Sequence, residues 1–288
     1  MSKQRSLRRR GSPRRLAGFC LLLLAASALP LGERVAAAAA AAPGVLRLAY
    51  LAYLDDARVA RLEIDLDLAG AGPQRLGERY RLSLAGGLIG PLGKLFPFHL
   101  TAGARGSAGQ AGVRPERFDA TTELWDDRRA VALSYGPNGR VVLVSDPPTV
   151  EGNRAIAGGL ADRTLDPVSG ALALLDRSAR EGGCGGRVRV FDGVRRYDLE
   201  ASTVGASSVS RRGEAIYSGP AEECRLGLKP LQGFPEQAIR QGVYPTTARL
   251  WLAPVVNGLP ALPVRMMGSS TLGQLRLDLV EAYRLPNG

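Results

Sequence analysis

The stretch EGGCGGRVRVFDGVRRYDLE, residues Glu181–Glu200, decides how the chain is read. Val188 and Val190 alternate with Arg187 and Arg189, Asp192-Gly193 follows, and a second alternating run reaches Leu199. Asp-Gly between two alternating runs signals a β-hairpin, because a type I′ turn needs positive φ at both central residues. Pairing Phe191 with Val194 sets Val188 opposite Tyr197 and Gly186 opposite Leu199. One face then carries Val188, Val190, Tyr197 and Leu199. The other places Arg187 against Asp198, a favourable pair, and Arg189 against Arg196, an unfavourable one. A hairpin with one apolar and one wet face belongs to an antiparallel sheet.

The same period recurs along the chain. VARLEIDLDL puts Leu62, Ile64, Leu66 and Leu68 on one side and Arg61, Glu63, Asp65 and Asp67 on the other. YRLSL groups Tyr80, Leu82 and Leu84, and the last run groups Leu275, Leu277 and Leu279. Turn clusters stand between the runs at residues 55–56, 70–73, 136–139 and 256–260. Many short alternating runs with regular turns predict a mainly all-β fold, a sandwich or a barrel. One segment departs from period two. Asp166 suits a helix cap, Pro167 a first turn, and Leu172, Leu175 and Ala179 keep helical spacing, with Leu174 widening the face. Arg177 and Arg180 suit the far end and Gly182-Gly183 stop it. This is the one substantial helix expected, near residues 167–180. EQAIRQG, residues 236–242, reads as a single-turn piece.

Compartment decides the cysteines. A basic opening, MSKQRSLRRRGSPRRL, leads into an apolar run that ends near Leu31. A membrane span needs about 20 apolar residues; a basic region, a short apolar run and small residues make a secretory signal peptide. Residues 1–42 are therefore read as signal peptide and alanine-rich spacer, and residues 43–288 as one β-rich periplasmic domain. Cleavage after Ala28 or within Ala36–Ala42 both fit. Arg14-Arg15 leaves the twin-arginine route open beside the general one. Cys20 stands at the start of the apolar run, the wrong place for a lipid-modified cysteine.

Removing the leader changes the charge. The chain has 38 Lys and Arg and 27 Asp and Glu; residues 1–42 hold eight of the former and one of the latter, so 30 and 26 remain. The remaining arginines are interleaved with acids, which excludes the concentrated basic face of a nucleic-acid binder. Only Cys184 and Cys224 survive the leader, and in an oxidising compartment such a pair reads as a disulfide. A nucleophilic cysteine wants a thiolate-stabilising neighbour, and the sole histidine, His99, is far off in sequence. Two cysteines and one histidine make no zinc ligand set. The glycines around Cys184 lack the phosphate-loop pattern. No cofactor and no metal are expected.

The order LDPVSGALALL, then CGGRVRVFDGVRRYDL, then YSGPAEECRL, then a closing LPVRM and LGQLRLDL resembles a family of exported bacterial proteins. It is the domain-of-unknown-function family numbered 3108. The resemblance runs from about Tyr50 to Leu279 and is clearest from Leu165 to Leu226. It implies an antiparallel meander curved into a partial barrel and secreted to the periplasm. It carries no established activity.

GGLIGPLGKLFPFHL, residues Gly86–Leu100, is the most apolar non-alternating stretch of the chain after the leader. It reads either as a strand–turn–strand that fills the core or as a lip offering Leu88, Ile89, Leu92, Phe96 and Phe98 to a lipid or membrane surface. Asp126-Asp127 and Glu222-Glu223 could share acid–base work, but neighbours in a strand point to opposite faces, so polar turns are the plainer reading. No catalytic residues are assigned. The expected function is a non-catalytic periplasmic binding or carrier module for an apolar or envelope-derived ligand. The alternative is a structural or assembly partner of a cell-envelope complex; a carboxylate hydrolase is a distant third. A lipid or envelope component is the expected partner, and the chain is expected to be soluble once its leader is cleaved.

Overall fold

The computed structural model describes residues 44–285 except 70, 72–75, 77, 147–158 and 243. The leader, its cleavage sites and most of the 70–73 turn cluster lie outside the described residues. Thirteen strands form one antiparallel sheet. In chain order they are β1 (Leu46–Leu54), β2 (Ala57–Ala69), β3 (Arg79–Leu88), β4 (Phe98–Gly109), β5 (Gly112–Leu124), β6 (Asp127–Tyr135), β7 (Val141–Asp146), β8 (Gly185–Phe191), β9 (Arg196–Val209), β10 (Gly219–Gln232), β11 (Thr247–Ala253), β12 (Leu262–Ser270) and β13 (Gly273–Arg284). Among the described residues three α-helices interrupt them: α1 (Gly90–Leu95), α2 (Pro167–Glu181) and α3 (Glu236–Arg240).

Each half of the chain is a meander, and the two halves join where β1 pairs with β13. The free edges of the sheet are therefore β7 and β8. Strand pairing does not close the barrel, but curvature brings the edges towards one another. Gly193, in the β8–β9 turn, comes so near β6 that an added Cβ would lie 2.3 Å from Val131 Cγ1. The segment before α2 spans the remaining gap. On the β7 side, Asp162 Oδ1 accepts from Val141 N at 2.9 Å. On the β8 side, Leu165 N donates to Arg189 O at 2.8 Å and Phe191 N to Leu165 O at 2.9 Å. The fold is the partial barrel that the resemblance implied.

Period two sets the inner face. Leu62, Ile64, Leu66 and Leu68 of β2, Tyr80, Leu82 and Leu84 of β3, and Leu277 and Leu279 of β13 are buried in one core. The central strands are also covered outside. Ala49, Leu51, Tyr53 and Val280 form a second apolar cluster with Ile89 against it. The 210–218 segment lies over that face: Ile216 N donates to Leu279 O, and Arg265 Nη1 to Ser210 O. Beneath it Asp278, fully buried, accepts from Arg265 Nε on Oδ1 at 2.5 Å and from Arg276 Nε on Oδ2 at 2.8 Å.

The hairpin of residues 185–209 departs from the register expected of a two-residue turn. Phe191 pairs with Arg196, Val190 with Tyr197 and Val188 with Leu199. The turn spans four residues because Asp192 Oδ1 accepts from both Val194 N and Arg195 N, a side-chain closure that replaces the type I′ turn. The shift is two residues, so the apolar face keeps its members. It also removes the repulsion: Arg189 now opposes Asp198. Burial alone would raise the Asp198 carboxyl. The hydrogen bonds from Arg187 and Arg196 outweigh it and hold the pKa below its ordinary value.

Helix α2 forms where the sequence placed it. Asp166 Oδ1 accepts from Val168 N and Ser169 N, and its Oδ2 from Ser169 Oγ, whose hydroxyl also meets Tyr80 Oη at 2.7 Å. Gly182, at φ 69°, ends the helix in a conformation that side chains disfavour. Burial raises the Asp166 carboxyl to about 6, against the lowering effect of its hydrogen bonds from Ser169 and Val168. A carboxyl whose folded pKa lies above its unfolded value stabilises the fold below about pH 4, and that contribution is lost as pH rises through 6. Asp166→Asn keeps an acceptor for the cap but does not ionise. Between pH 4 and 7 the wild type is expected to lose roughly 3 kcal/mol relative to this variant. Paired urea melts at several pH values measure the difference; parallel curves would refute it.

Candidate functional site

Helix α2 lies inside the curved sheet, packed against β8, β5 and β4. The opposite side of the helix faces the wall made by β9–β13 and β1, with a half-enclosed cavity of about 90 Å³ between them. Leu174 and Leu175 face it from the helix; Leu199, Leu226, Leu250 and Met266 face it from the strands. The wall follows from cross-strand neighbours: Ala201 opposes Leu226, and Leu226 opposes Ala248. Polar lining is sparse. Tyr50 donates its hydroxyl to Pro263 O at 3.0 Å, and burial raises its pKa well above the ordinary value. Arg265 borders the cavity, but its guanidinium is held by Asp278 on the outer face. Thr246 and Thr247, at the head of β11, are the exposed lining residues and mark the opening.

Cys184 and Cys224 are joined by a disulfide with their Cα atoms 5.8 Å apart, and both border the cavity. Cys184 leaves α2 after two glycines. The second, Gly183, has φ 76°, and a Cβ there would lie 2.7 Å from Thr203 Oγ1. Thr203 Oγ1 accepts from Cys184 N at 2.7 Å. The bridge thus fastens the C-terminal end of the helix to β10, across the base of the cavity.

The apolar stretch 86–100 contains α1 where a plain turn was the simpler expectation. Gly90 starts the helix at φ 64° and Pro91 takes its first turn. Phe98 is buried in the main core, while Leu88, Leu92 and Phe96 are half-buried against it. Ile89 packs on the outer cluster. None of these five lines the cavity. His99 is exposed opposite Gly87 and Glu123. Asp126 and Asp127 are exposed at a turn, with Asp127 paired to Arg129 at 3.2 Å. Glu223 is buried and accepts from Arg249 Nε at 2.6 Å, while Glu222 accepts from Thr203. No group of three or more potential metal ligands occurs among the described residues. The cavity itself escaped the sequence, because its lining comes from seven elements and no short motif contains it.

The sequence profile of the family described as "Protein of unknown function (DUF3108)" matches residues 50–280. The chain belongs to this family. Its order of strands, with the cysteines flanking the β8–β9 hairpin, is thus seen in a DUF3108 member. Two solved structures are similar over most of their length. One is a β-barrel-like protein of the unknown-function domain DUF1849 from Brucella abortus, with a TM-score of 0.48, 12% identity, and 85% of this chain and 99% of that one covered. The other, from Parabacteroides distasonis, is described provisionally as a lipoprotein, with a TM-score of 0.33, 10% identity, and 88% and 97% covered. No curated protein matches the chain. Among the described residues no helix is long and apolar enough to cross a membrane.

Proposed function

We propose that this DUF3108 protein is a non-catalytic binding or carrier module that works outside the cytoplasm and holds a narrow apolar chain against α2. The observation that carries this reading is the apolar cavity between the helix and β9–β13. Apolar cavities stay dry and take apolar guests, and one of about 150 Å³ holds a benzene ring. A space of about 90 Å³ open on one side suits a single hydrocarbon chain more than a ring system. The disulfide supports export, since such bonds persist in oxidising compartments. The leader-like opening and the small polar lining agree with a lipid taken from the envelope.

Native mass spectrometry of the protein purified from cells that process it tests the reading. A bound mass released by organic solvent is expected. Ala248→Phe, which fills the cavity from β11, should lose that mass while keeping the circular dichroism of the wild type. A ligand-free wild type that also fails to take up an apolar fluorophore would sink the proposal. The second reading, a structural partner in an envelope complex, draws on β7. This edge strand leaves Val142 52% and Val144 64% exposed, and exposed apolar edges invite strand addition. A ligand-free protein that co-purifies with a partner lost on Val144→Lys would favour it.

A further inference from the structure

We propose that the end of the partial barrel carrying α1 and the β5–β6 turn docks on the surface of a phospholipid bilayer, with Leu95 and Trp125 inserted. Leu95 is 67% exposed, the most exposed large apolar side chain among the described residues. Trp125 is 46% exposed and sits at φ 51°. That left-handed conformation is disfavoured for a bulky side chain, and strain of this kind collects at functional positions. Its ring lies 5.5 Å from the ring of Phe96, which fixes the two aromatics as one unit. Helix α1 buries none of its residues fully; Leu92 is half-buried against the core, while Leu95 stands out at the rim.

Charge selects the occupant. Lys94, Arg128 and Arg129 are balanced around this rim by Glu123, Asp126 and Asp127. Arg128 Nε lies 3.4 Å from Glu123 and Arg129 Nη2 3.2 Å from Asp127. A rim bearing tryptophan, leucine and phenylalanine suits the zwitterionic interface of a bilayer, where tryptophan is enriched. Asp55 and Asp56 in the β1–β2 turn and Asp146 at the end of β7 add exposed acid at the same end. Of these three, only Asp56 is ion-paired among the described residues, to Arg276. That balance disfavours an anionic lipid surface and leaves the zwitterionic one.

The topology adds a second argument. Strand alternation puts the β1–β2 turn, α1, the β5–β6 turn, the β10–β11 connection and the β12–β13 turn at one end of the sheet. The cavity opens at that end, at Thr246 and Thr247. Leu272, 52% exposed in the β12–β13 turn, lies there too. A rim seated on lipid would present the opening to the source of the ligand. This inference rests partly on the carrier reading, yet the two can fail separately: vesicles read the rim, and the co-purified mass reads the cavity.

The test is flotation of the processed full chain with phosphatidylcholine–phosphatidylethanolamine vesicles, with and without added phosphatidylglycerol. The chain has two tryptophans, and Trp251 is buried, so quenching of fluorescence by brominated lipid reports Trp125. Flotation and quenching are expected with zwitterionic vesicles and should change little with salt. Leu95→Glu is expected to weaken partitioning about tenfold or more, in line with the loss of one inserted leucine. Val204→Glu, at an exposed apolar position on β9, should leave it unchanged. Absence of flotation, binding that requires anionic lipid and vanishes in salt, or equal loss in both variants would overturn the proposal. So would a dimer in sedimentation that Leu95→Glu dissolves, which would assign the rim to a second copy of the chain.

Discussion

Asp278→Ala is expected to destabilise the protein by about 3–5 kcal/mol, the range for removing one partner of a buried ion pair. Asp278 is 0% exposed and is shared by two guanidiniums, those of Arg265 and Arg276, each with a side chain 8% exposed. Arg276 would keep Asp56, whose carboxylate reaches its Nη1 at 3.0 Å from solvent, and the ring of Tyr53, 4.4 Å from its guanidinium. Arg265 would keep only the carbonyl of Ser210, at 3.1 Å, and already has a buried Nη2 without a partner. The loss should therefore fall mainly on Arg265 and on the 210–218 segment that caps it. Urea unfolding at neutral pH gives the magnitude, and proteolysis of the native state locates the opening at that segment. The triple change Asp278→Leu, Arg265→Met, Arg276→Met removes both charges together with their partner and should be far milder, since replacing a whole buried ionic cluster by apolar groups is often neutral. A single variant as stable as the wild type would mean that water reaches this face of β12 and β13.

How far the fold was legible depends on the range of the interaction that sets each element. Ile64, Leu66 and Leu82 declared their face through alternation alone, because period two is local. Helix α2 was readable for the same reason: cap, first-turn proline, apolar stripe and terminal glycines all lie within one short segment. The hairpin register failed by two residues because the side chain of Asp192 competed with the backbone turn that Asp-Gly favours. Helix α1 was missed because a six-residue helix has no periodicity to show. The cavity could not be read, and the Asp278 cluster was not identified. The cavity's members meet only when the β9–β13 meander curves around α2 and β1 adds Tyr50. Arg265 and Asp278 meet across the β12–β13 hairpin, in a register that alternation alone does not set. A faint signal for the cluster existed: Arg265, Arg276 and Asp278 occupy outward positions of strands that a wet face alone would explain.

Replacing Cys184 and Cys224 together by alanine is expected to cost about 4 kcal/mol, the chain-entropy value for a loop of this size. The bridge spans 40 residues, and that span encloses β8, β9 and the 210–218 segment. Opening it enlarges the unfolded ensemble, so the slope of unfolding free energy against urea should rise along with the fall in stability. The folded state should change as well, in a place that entropy alone does not name. Among the described residues, the bridge and the hydrogen bonds of Thr203 tie the segment leaving α2 to β9 and β10. Without the bridge, the helix end is free to swing from the wall and the cavity loses its base. Retention of the bound mass should then fall in the alanine pair even at temperatures where circular dichroism reports a native fold. The variant Leu172→Ala separates the two effects. Leu172 is fully buried in the core and does not line the cavity, so its loss should cost about 2–5 kcal/mol with the helix end still fastened. Equal loss of ligand in both variants would tie retention to overall stability; loss confined to the alanine pair would tie it to the fastening of α2 against β10.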